Sequence, residues 1–165
     1  DEGLEFEPIH RVVFNVSPKD LLAEMKAFLE RHGQRFLYSS CTLKELEEFP
    51  SRRNHVHLIP FVSDTICGTI EVADPSLNLE VGTLQTFLDA YAESRPQLRI
   101  DYIHGDDIVT DLGAKPGNMG FYLPAISKHD LFRTIILDGA LPRKTFSMGN
   151  ADEKRFYLEC RKISG

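Results

Sequence analysis

The sequence of 165 residues contains no long hydrophobic run, and no apolar stretch approaches the roughly 20 residues that a membrane-spanning helix needs. It shows no signal-peptide pattern. Cysteine is scarce too, since Cys41, Cys67 and Cys160 are odd in number and form no CxxC pair. We therefore expect a cytoplasmic protein with reduced thiols and without a membrane partner.

The sequence has fewer basic than acidic residues, with 19 lysines and arginines and 25 aspartates and glutamates, which gives a net charge of −6. This balance disfavours nucleic acid as a partner, since a nonspecific duplex-binding surface must be basic. Internal repeats, low-complexity segments and a linker between two halves are also absent. With 42% hydrophobic residues, the chain is predicted to form a single domain over residues 1–165 around an ordinary core.

Helix and strand patterns are interspersed along the sequence. The segment 17–33 has a serine cap, a proline at the first helical position and a terminal glycine. Another helix is predicted in "KHDLFRTIILDG", with its apolar stripe facing inward at Leu131, Phe132, Ile135 and Ile136. Strands are predicted in "HRVVF", "NHVHLIPFV", "TICGTIEVA", "LRIDYI", "NMGFYLP" and "RFYLECRKI". Because at least one hairpin joins two of them, we predict an α+β fold, a mixed or antiparallel sheet with helices packed on one face.

The stretch "PIHR", residues 8–11, places a histidine beside an arginine at the start of a predicted strand. Histidine titrates near neutral pH, so His10 could move protons, and Arg11 could bind phosphate or carboxylate through two N–H groups. The alternative is a partly buried His10 next to an Arg11 in solvent. We predict a catalytic role for His10 and a phosphate- or substrate-binding role for Arg11.

The stretch "DYIHGDD", residues 101–107, allows two interpretations. Gly105 permits a sharp turn from strand to helix, and His104 would project at the strand end, where sites often gather. Asp106 and Asp107 could hold Mg²⁺, which usually takes one or two carboxylates together with substrate oxygens. Alternatively, one of these aspartates caps the following helix. We predict a catalytic role for His104 and a metal-binding role for both aspartates, with capping left open.

Two further segments offer donors for an anion. Lys115 opens the glycine-rich "KPGNMG", which lacks the Walker pattern and favours an ordinary turn, although the lysine could still reach an anion. The segment "LPRKTFSMG", residues 141–149, has neither helical nor strand periodicity and could be a solvated loop held by Leu141 and Phe146. Its candidate phosphate- or substrate-binding residues are Arg143, Lys144, Thr145 and Ser147.

Five stretches carry a family resemblance, namely "LEFEPIHRVVF", "GTLQTFLDAY", "DYIHGDD", "KPGNMGFYLP" and "LFRTIILDGALPRKTFSMGNADEKRFYLECRKI". Over nearly the whole chain they resemble the C-terminal part of the bacterial and archaeal proteins catalogued as domain of unknown function 1015. Members of that family are much longer, which implies that this chain is the C-terminal domain of a longer protein. Their N-terminal part resembles ParB-like proteins and carries an aspartate-glycine-histidine-histidine-arginine motif, which is absent here.

Other ParB-like proteins include nucleotide hydrolases and kinases that phosphorylate free serine. The resemblance therefore implies a nucleotide-dependent small-molecule phosphotransferase, with Mg²⁺ and a nucleotide as cofactors of the full-length protein. Its main catalytic motif would lie in the N-terminal ParB-like domain, the expected partner of this one. The chain itself shows neither a Walker pattern nor a kinase signature. The alternative is a noncatalytic module that binds a ligand or another protein, so the sequence leaves open whether this domain is an enzyme.

Overall fold

The computed structural model describes residues 5–46 and 55–147. Its strands are β1 (Glu5–Pro8), β2 (His10–Phe14), β3 (Arg35–Ser40), β4 (Val56–Val62), β5 (Cys67–Ala73), β6 (Arg99–Ile103), β7 (Asn118–Phe121), β8 (Ile126–Ser127) and β9 (Phe146–Ser147). Its helices are α1 (Pro18–Arg31), α2 (Leu43–Leu46), α3 (Glu80–Glu93), α4 (Asp106–Gly113) and α5 (Lys128–Asp138). The strand predicted in "RFYLECRKI", including Cys160, lies outside the described residues.

All strand pairs in the described part of the chain are antiparallel. Six strands form a main sheet in the order β3-β5-β4-β7-β2-β6, and three short strands form a small sheet in the order β8-β1-β9. With helices interspersed between the strands, these sheets confirm the α+β fold and the antiparallel arrangement. Among residues 5–46 and 55–147, no helix combines the length and the apolar composition that crossing a membrane requires.

Strand β2 lies between β7 and the edge strand β6, and its side chains reach both faces of the main sheet because successive side chains of a strand point to opposite sides. Val13 packs in the larger core with Ile59 of β4. Val12 points the other way and packs with Val109 of α4. The same alternation sends the side chain of residue 10 to α4 and that of residue 11 to α3.

The two 14-residue helices, α1 and α3, cover one face of the main sheet. Ser17 caps α1 by accepting a hydrogen bond from a backbone N–H of the first turn, as predicted. Helix α4, together with α2, packs on the opposite face. The predicted packing of helices on one face of the sheet therefore holds for the long helices α1 and α3. The approach of α4 is close because Gly113 has no side chain: a Cβ there would lie 2.7 Å from Val62 Cγ1. The apolar side of α1 is buried at Leu21, Leu22, Met25 and Leu29.

Helix α5 is rotated relative to the sequence prediction. Of its four predicted inward residues, only Leu131 is buried, while the side chains that the structure exposes are Phe132, Ile135 and Ile136. Polar contacts hold the inner side of the helix, where Thr134 accepts a hydrogen bond from Asn78 Nδ2 and Asp138 accepts one from Asn78 N–H. The apolar stripe of α5 therefore faces outward, and the prediction of an inward stripe was wrong.

Candidate functional site

The start of β2 and the start of α4 bring a histidine and an aspartate together. His10 is 2% exposed, and its Nε2 lies 2.7 Å from Asp106 Oδ1. On the other side of the ring, Nδ1 accepts the backbone N–H of Leu123 at 2.9 Å. Because Nδ1 is an acceptor, the neutral ring carries its proton on Nε2 and donates it to Asp106. His10 therefore holds one oxygen of this carboxylate in a fixed position.

Burial lowers the pKa of His10 below its ordinary value of 6.5. The hydrogen bond and the charge of Asp106 act against this shift, and the nearby His104 and Arg11 add to it. A buried, neutral ring whose two nitrogens already have protein partners has no free nitrogen to offer a ligand. The geometry thus supports a positioning role for His10, exerted on Asp106, while proton transfer to a substrate by His10 stays a prediction.

The lowered pKa of His10 predicts a pH dependence of stability. Between its folded pKa and 6.5, unfolded His10 binds more protons than folded His10, so the free energy of unfolding falls as the pH falls through this range. Above pH 6.5 this contribution to stability is fully present. Urea unfolding at pH 7.5 and 5.5 should show a loss in the native protein that is smaller in His10→Gln. An equal loss in both proteins would assign the pH dependence to other groups.

A cleft of about 800 Å³ opens beside Asp106 between α4 and α2, and we refer to it as the α4 cleft. The Asp106 side chain is 57% exposed and faces this space, whereas His10 does not line it. Tyr122 and Thr110 form a hydroxyl pair at 2.6 Å within the wall. The remaining lining residues are Leu43, Lys44, Leu46, Asp107 and Asp111. Carboxylates outnumber cations in this lining, so the cleft suits a cation or a polyhydroxylated molecule more than a bare anion.

The aspartates at the start of α4 do not cap the helix. The N-cap is Gly105, whose φ of 112° makes the sharp turn that the sequence predicts, and no side chain makes a capping hydrogen bond there. Asp106 is already inside the helix, and its carboxylate turns toward His10. The capping alternative is therefore wrong, and Asp106 is left available for the cleft.

Mg²⁺ is compatible with this end of α4, because it usually takes one or two carboxylates and completes its shell with water and substrate oxygens. Asp106 and Asp107 both line the α4 cleft and supply such carboxylates. Within residues 5–46 and 55–147, no group of three histidine, cysteine or acidic side chains is placed to hold a metal. The site would thus suit a cation held mainly by substrate, and the metal-binding role of both aspartates stays a prediction.

His104 lies at the same end of the sheet but pairs with a different carboxylate. Its Nε2 is 2.5 Å from Glu7 Oε2, with both side chains about half exposed. The pairing joins the end of β6 to β1 of the small sheet. Glu7 was missed by the sequence analysis, because no local pattern distinguishes it from an ordinary strand residue. His104 does not line the α4 cleft. The support for its predicted catalytic role is only that it lies close enough to His10 to affect its pKa, so this role stays a prediction.

Arg11 has a structural role on the opposite face of β2. It is completely buried, and its Nη1 donates to the carbonyl of Lys144 at 2.8 Å while Nη2 donates to that of Arg143 at 2.7 Å. Its Nε donates to Gln85 Oε1 at 2.9 Å, and its guanidinium lies over the Tyr102 ring. Burial lowers the pKa of Arg11 to about 10. This placement does not support the predicted binding of phosphate by Arg11.

Arg143 and Lys144 are exposed, but their surroundings are not purely basic. Arg143 Nη2 lies 2.9 Å from Asp89 Oδ1, beside a cleft of about 240 Å³. Lys144 Nζ lies 5.5 Å from the centroid of the Tyr102 ring. Gln85 also bonds Asp89 through Nε2 at 2.8 Å. Gln85 and Asp89 were missed, although their spacing of four residues in "TLQTFLDAY", which places them on one side of a helix, is a signal that could have found them.

The other predicted anion-binding residues do not join this group. Thr145 is buried, and its hydroxyl donates to the carbonyl of Pro142. Lys115 is exposed just after α4 and lines none of the clefts described above. Ser147 pairs with β1 through its backbone, and its side chain lies outside the structural description. Phe146 is partly buried against Phe6, with ring centroids 4.7 Å apart.

Six of the predicted site residues thus form two clusters at one end of strands β2 and β6. His10, Asp106 and Asp107 lie on the face covered by α4. Arg143 and Lys144 lie with Tyr102 and Arg11 on the face covered by α3. Because the sheet lies between these faces, the two carboxylates do not share a cleft with Arg143 and Lys144.

Comparison with protein-family models, with curated proteins and with solved structures found no match for this chain. The resemblance to the C-terminal part of domain of unknown function 1015 therefore stays a prediction. The function proposed below is therefore based on the geometry of the two clusters.

Proposed function

We propose that this chain contributes a carboxylate to the active site of a nucleotide-dependent phosphotransferase that acts on a small hydroxylated molecule. The observation that carries the proposal is the state of Asp106. One of its oxygens is held at 2.7 Å by a buried histidine, and the side chain is exposed toward a polar cleft. A carboxylate fixed in this way is positioned before any ligand arrives, which is what catalysis requires of a general base.

Phosphoryl transfer depends mainly on positioning and on charge neutralisation. Asp106 would accept the proton of the substrate hydroxyl, and His10 would keep the carboxylate turned toward the cleft. Lys44, Thr110 and Tyr122 line the same space and would orient the polar groups of the substrate. Mg²⁺ held by Asp107 and by substrate oxygens, with Asp106 left to act as the base, would neutralise phosphate charge that this acidic lining would otherwise repel.

The small number of cationic side chains in this cleft fits the proposal that a further domain completes the active site. In the α4 cleft, Lys44 is the one lysine or arginine among the described lining residues, whereas phosphoryl transfer usually engages several donors around the phosphates. Arg143 and Lys144 cannot supply them there, because they lie on the other face of the sheet. The missing donors would come from the N-terminal ParB-like domain that the resemblance implies.

Nucleotide turnover tests this proposal. ATP and GTP are incubated with Mg²⁺ and a set of hydroxylated metabolites, once with this chain alone and once with the longer protein. The chain is expected to unfold cooperatively in urea, because its caps, alternation and core agree with one structure, yet to show no turnover. Turnover by the chain at the rate of the longer protein would contradict the proposal that a second domain completes the active site. No turnover by the longer protein would contradict the phosphotransferase function.

A noncatalytic module that binds a ligand or a protein is the second candidate. The observation favouring it is the outward apolar stripe of α5, since large exposed apolar side chains mark interaction surfaces. The two candidates differ at Asp106. A module would bind its partner equally well with or without this carboxylate, whereas the phosphotransferase would lose activity.

A further inference from the structure

Two of the three cysteines of the sequence lie directly opposite each other where the edge strand β3 ends. The ladder of β3 and β5 pairs Ser40 with Gly68, so the next two residues, Cys41 and Cys67, face one another. The Cys41 N–H donates to the Cys67 carbonyl at 2.9 Å, which continues the ladder by one pair. Opposite residues of an antiparallel pair project their side chains to the same face, so both thiols lie on one side of the sheet.

The two thiols are close enough to be joined by a disulfide bond. The Cys67 thiol donates to the carbonyl oxygen of Cys41, with Sγ 3.1 Å from that oxygen. Residues at a hydrogen-bonded antiparallel position have Cα atoms about 5.5 Å apart, within the roughly 4.4–6.8 Å that a disulfide spans. Gly68 permits the close approach of the strands here, because a Cβ at that position would clash with the carbonyl oxygen of Ser39. The two sulfurs can therefore meet through rotation of their side chains.

The cysteine pair lies behind the α2 wall of the α4 cleft. Both cysteine side chains pack against the hydrophobic cluster that contains Leu46 and Tyr122, and these two residues line the cleft. From Cys41 the chain passes directly into α2, where the Thr42 hydroxyl accepts a hydrogen bond from the Glu45 N–H at 3.2 Å and so caps the helix. The position of Cys41 therefore determines where α2 starts, and a bond from Cys41 to β5 would hold α2 against the main sheet.

The surroundings of the thiols favour slow and reversible oxidation. Both are partly exposed, so a small disulfide can reach them. Burial raises the pKa of both thiols, and the neighbouring Cys67 raises that of Cys41 further. Little thiolate, the reacting form, is then present at neutral pH. A partly exposed disulfide is also easier to reduce than a buried structural one, so the thiols should be reduced wherever reduced glutathione dominates.

We propose that Cys41 and Cys67 form a reversible disulfide bond that fixes α2 against the main sheet when the chain meets a low-molecular-weight disulfide such as oxidised glutathione. The proposal goes beyond the phosphotransferase function and does not depend on it, because it concerns the wall of the α4 cleft rather than the ligand of that cleft.

The bond forms in two exchange steps. One cysteine thiolate attacks the glutathione disulfide, forms a mixed disulfide with one glutathione and releases the other as a thiolate. The thiolate of the second cysteine then attacks the sulfur of the first and releases the remaining glutathione thiolate. Two electrons pass from the protein to glutathione, and the two protons of the protein thiols are taken up by the two glutathione thiolates. Excess reduced glutathione reverses both steps.

The test is incubation of the purified chain with oxidised glutathione at about pH 8.5, followed by mass spectrometry without reduction. We expect the chain to lose the mass of two hydrogen atoms, and a digest to contain two peptides joined through Cys41 and Cys67. Excess reduced glutathione should restore the original mass. The matched control is Cys160→Ser, which should form the same bond. Cys67→Ser, which keeps a donor for the Cys41 carbonyl, should not form it.

Two measurements on the oxidised chain follow its effect on α2. A cross-link between residues 26 apart restricts the unfolded chain, so the urea midpoint should rise by about 1 M. Amide hydrogen exchange in α2 should slow by about tenfold or more, because the start of the helix is tied to β5. The oxidised Cys160→Ser variant should show the same two changes.

Several results would overturn the proposal. They are thiols that stay unmodified, glutathione adducts that do not close to a protein disulfide, a bond that involves Cys160, and a bond between two chains. A bond between Cys41 and Cys67 that excess reduced glutathione leaves intact would be a permanent link rather than a reversible one. Unchanged hydrogen exchange in α2 after the bond has formed would contradict the fixing of α2.

Discussion

Replacing Arg11 with alanine is expected to lower the free energy of unfolding by about 3–5 kcal/mol, as measured by urea denaturation. The side chain is completely buried, and its guanidinium donates to the carbonyls of Ile9, Lys144 and Arg143 at 2.6–2.8 Å. Removing it leaves these part-buried acceptors without their donor. The same contacts hold the turn before β9 against β2, so the substitution should also loosen that turn.

The size of this effect follows from two opposing contributions. A hydrogen bond to a charged group contributes about 1.5–3 kcal/mol, and Arg11 makes four such bonds to protein groups. Burying a guanidinium costs several kcal/mol, which alanine does not pay. No carboxylate contacts Arg11 directly among the described residues, since Asp89 reaches it only through Gln85. The net loss is therefore smaller than the sum of the bonds.

The matched control is Arg35→Ala. Arg35 is an arginine on β3 whose side chain is 75% exposed and pairs with Asp74 at 3.0 Å. An exposed ion pair contributes less than about 1 kcal/mol, so this variant should unfold close to the native midpoint. Arg11→Lys should fall between the two, because an ammonium group cannot reach three carbonyls and Gln85 in the planar arrangement of a guanidinium. A loss in Arg11→Ala no larger than that in Arg35→Ala would show that the buried network contributes little.

The pairing of His10 with Arg11 in one predicted site shows what local patterns can decide. Adjacent strand residues point to opposite faces, so "HR" in a strand could not have served one ligand directly. Alternation in the sequence contained this information, and the prediction did not use it. Which face lies against α3 depends on the order of six strands, and four of the neighbouring pairs join strands far apart in the sequence. That order could not be read from any one segment.

The two helix predictions, α1 and α5, had different outcomes for a physical reason. The inner side of α1 is apolar, so its hydrophobic stripe and its buried face coincide. The inner side of α5 is set by hydrogen bonds from Asn78 to Thr134 and Asp138. Asn78 is about 60 residues earlier in the sequence, so periodicity within the helix cannot register its effect. Apolar periodicity finds a helix, but it identifies the buried face only where no distant polar partner competes.

Asp106 and its partner His10 were both predicted from the sequence as site residues, but no pattern in the sequence linked the two. His10 and Asp106 are 96 residues apart and meet because β2 pairs with β6, whose end leads through Gly105 into α4. The sharp turn at Gly105 was predictable from the sequence. The contact itself depends on the long-range pairing of two strands, and that pairing is specified by the whole sheet rather than by either segment.

If Asp106 accepts the proton of the substrate, Asp106→Asn should reduce kcat of the proposed longer protein by about 10²–10⁴-fold, the usual contribution of a general base. Asparagine keeps the shape of the side chain and can still accept the hydrogen bond from His10 Nε2. It cannot take up the proton of the substrate hydroxyl. The fold should persist within about 1 kcal/mol, since the side chain is 57% exposed and retains its hydrogen bond.

Initial rates with saturating nucleotide and Mg²⁺, together with urea unfolding of the same preparations, separate chemistry from stability. The control is Asp74→Asn, because Asp74 is an exposed aspartate that pairs with Arg35 and lines neither cleft of the site. His10→Gln should lower kcat less than Asp106→Asn does, since His10 acts only by holding the carboxylate. Native activity in Asp106→Asn would remove this carboxylate from the reaction. The surface of α5 would then be the main remaining indication of what the chain does, and the reading as a binding module would be favoured.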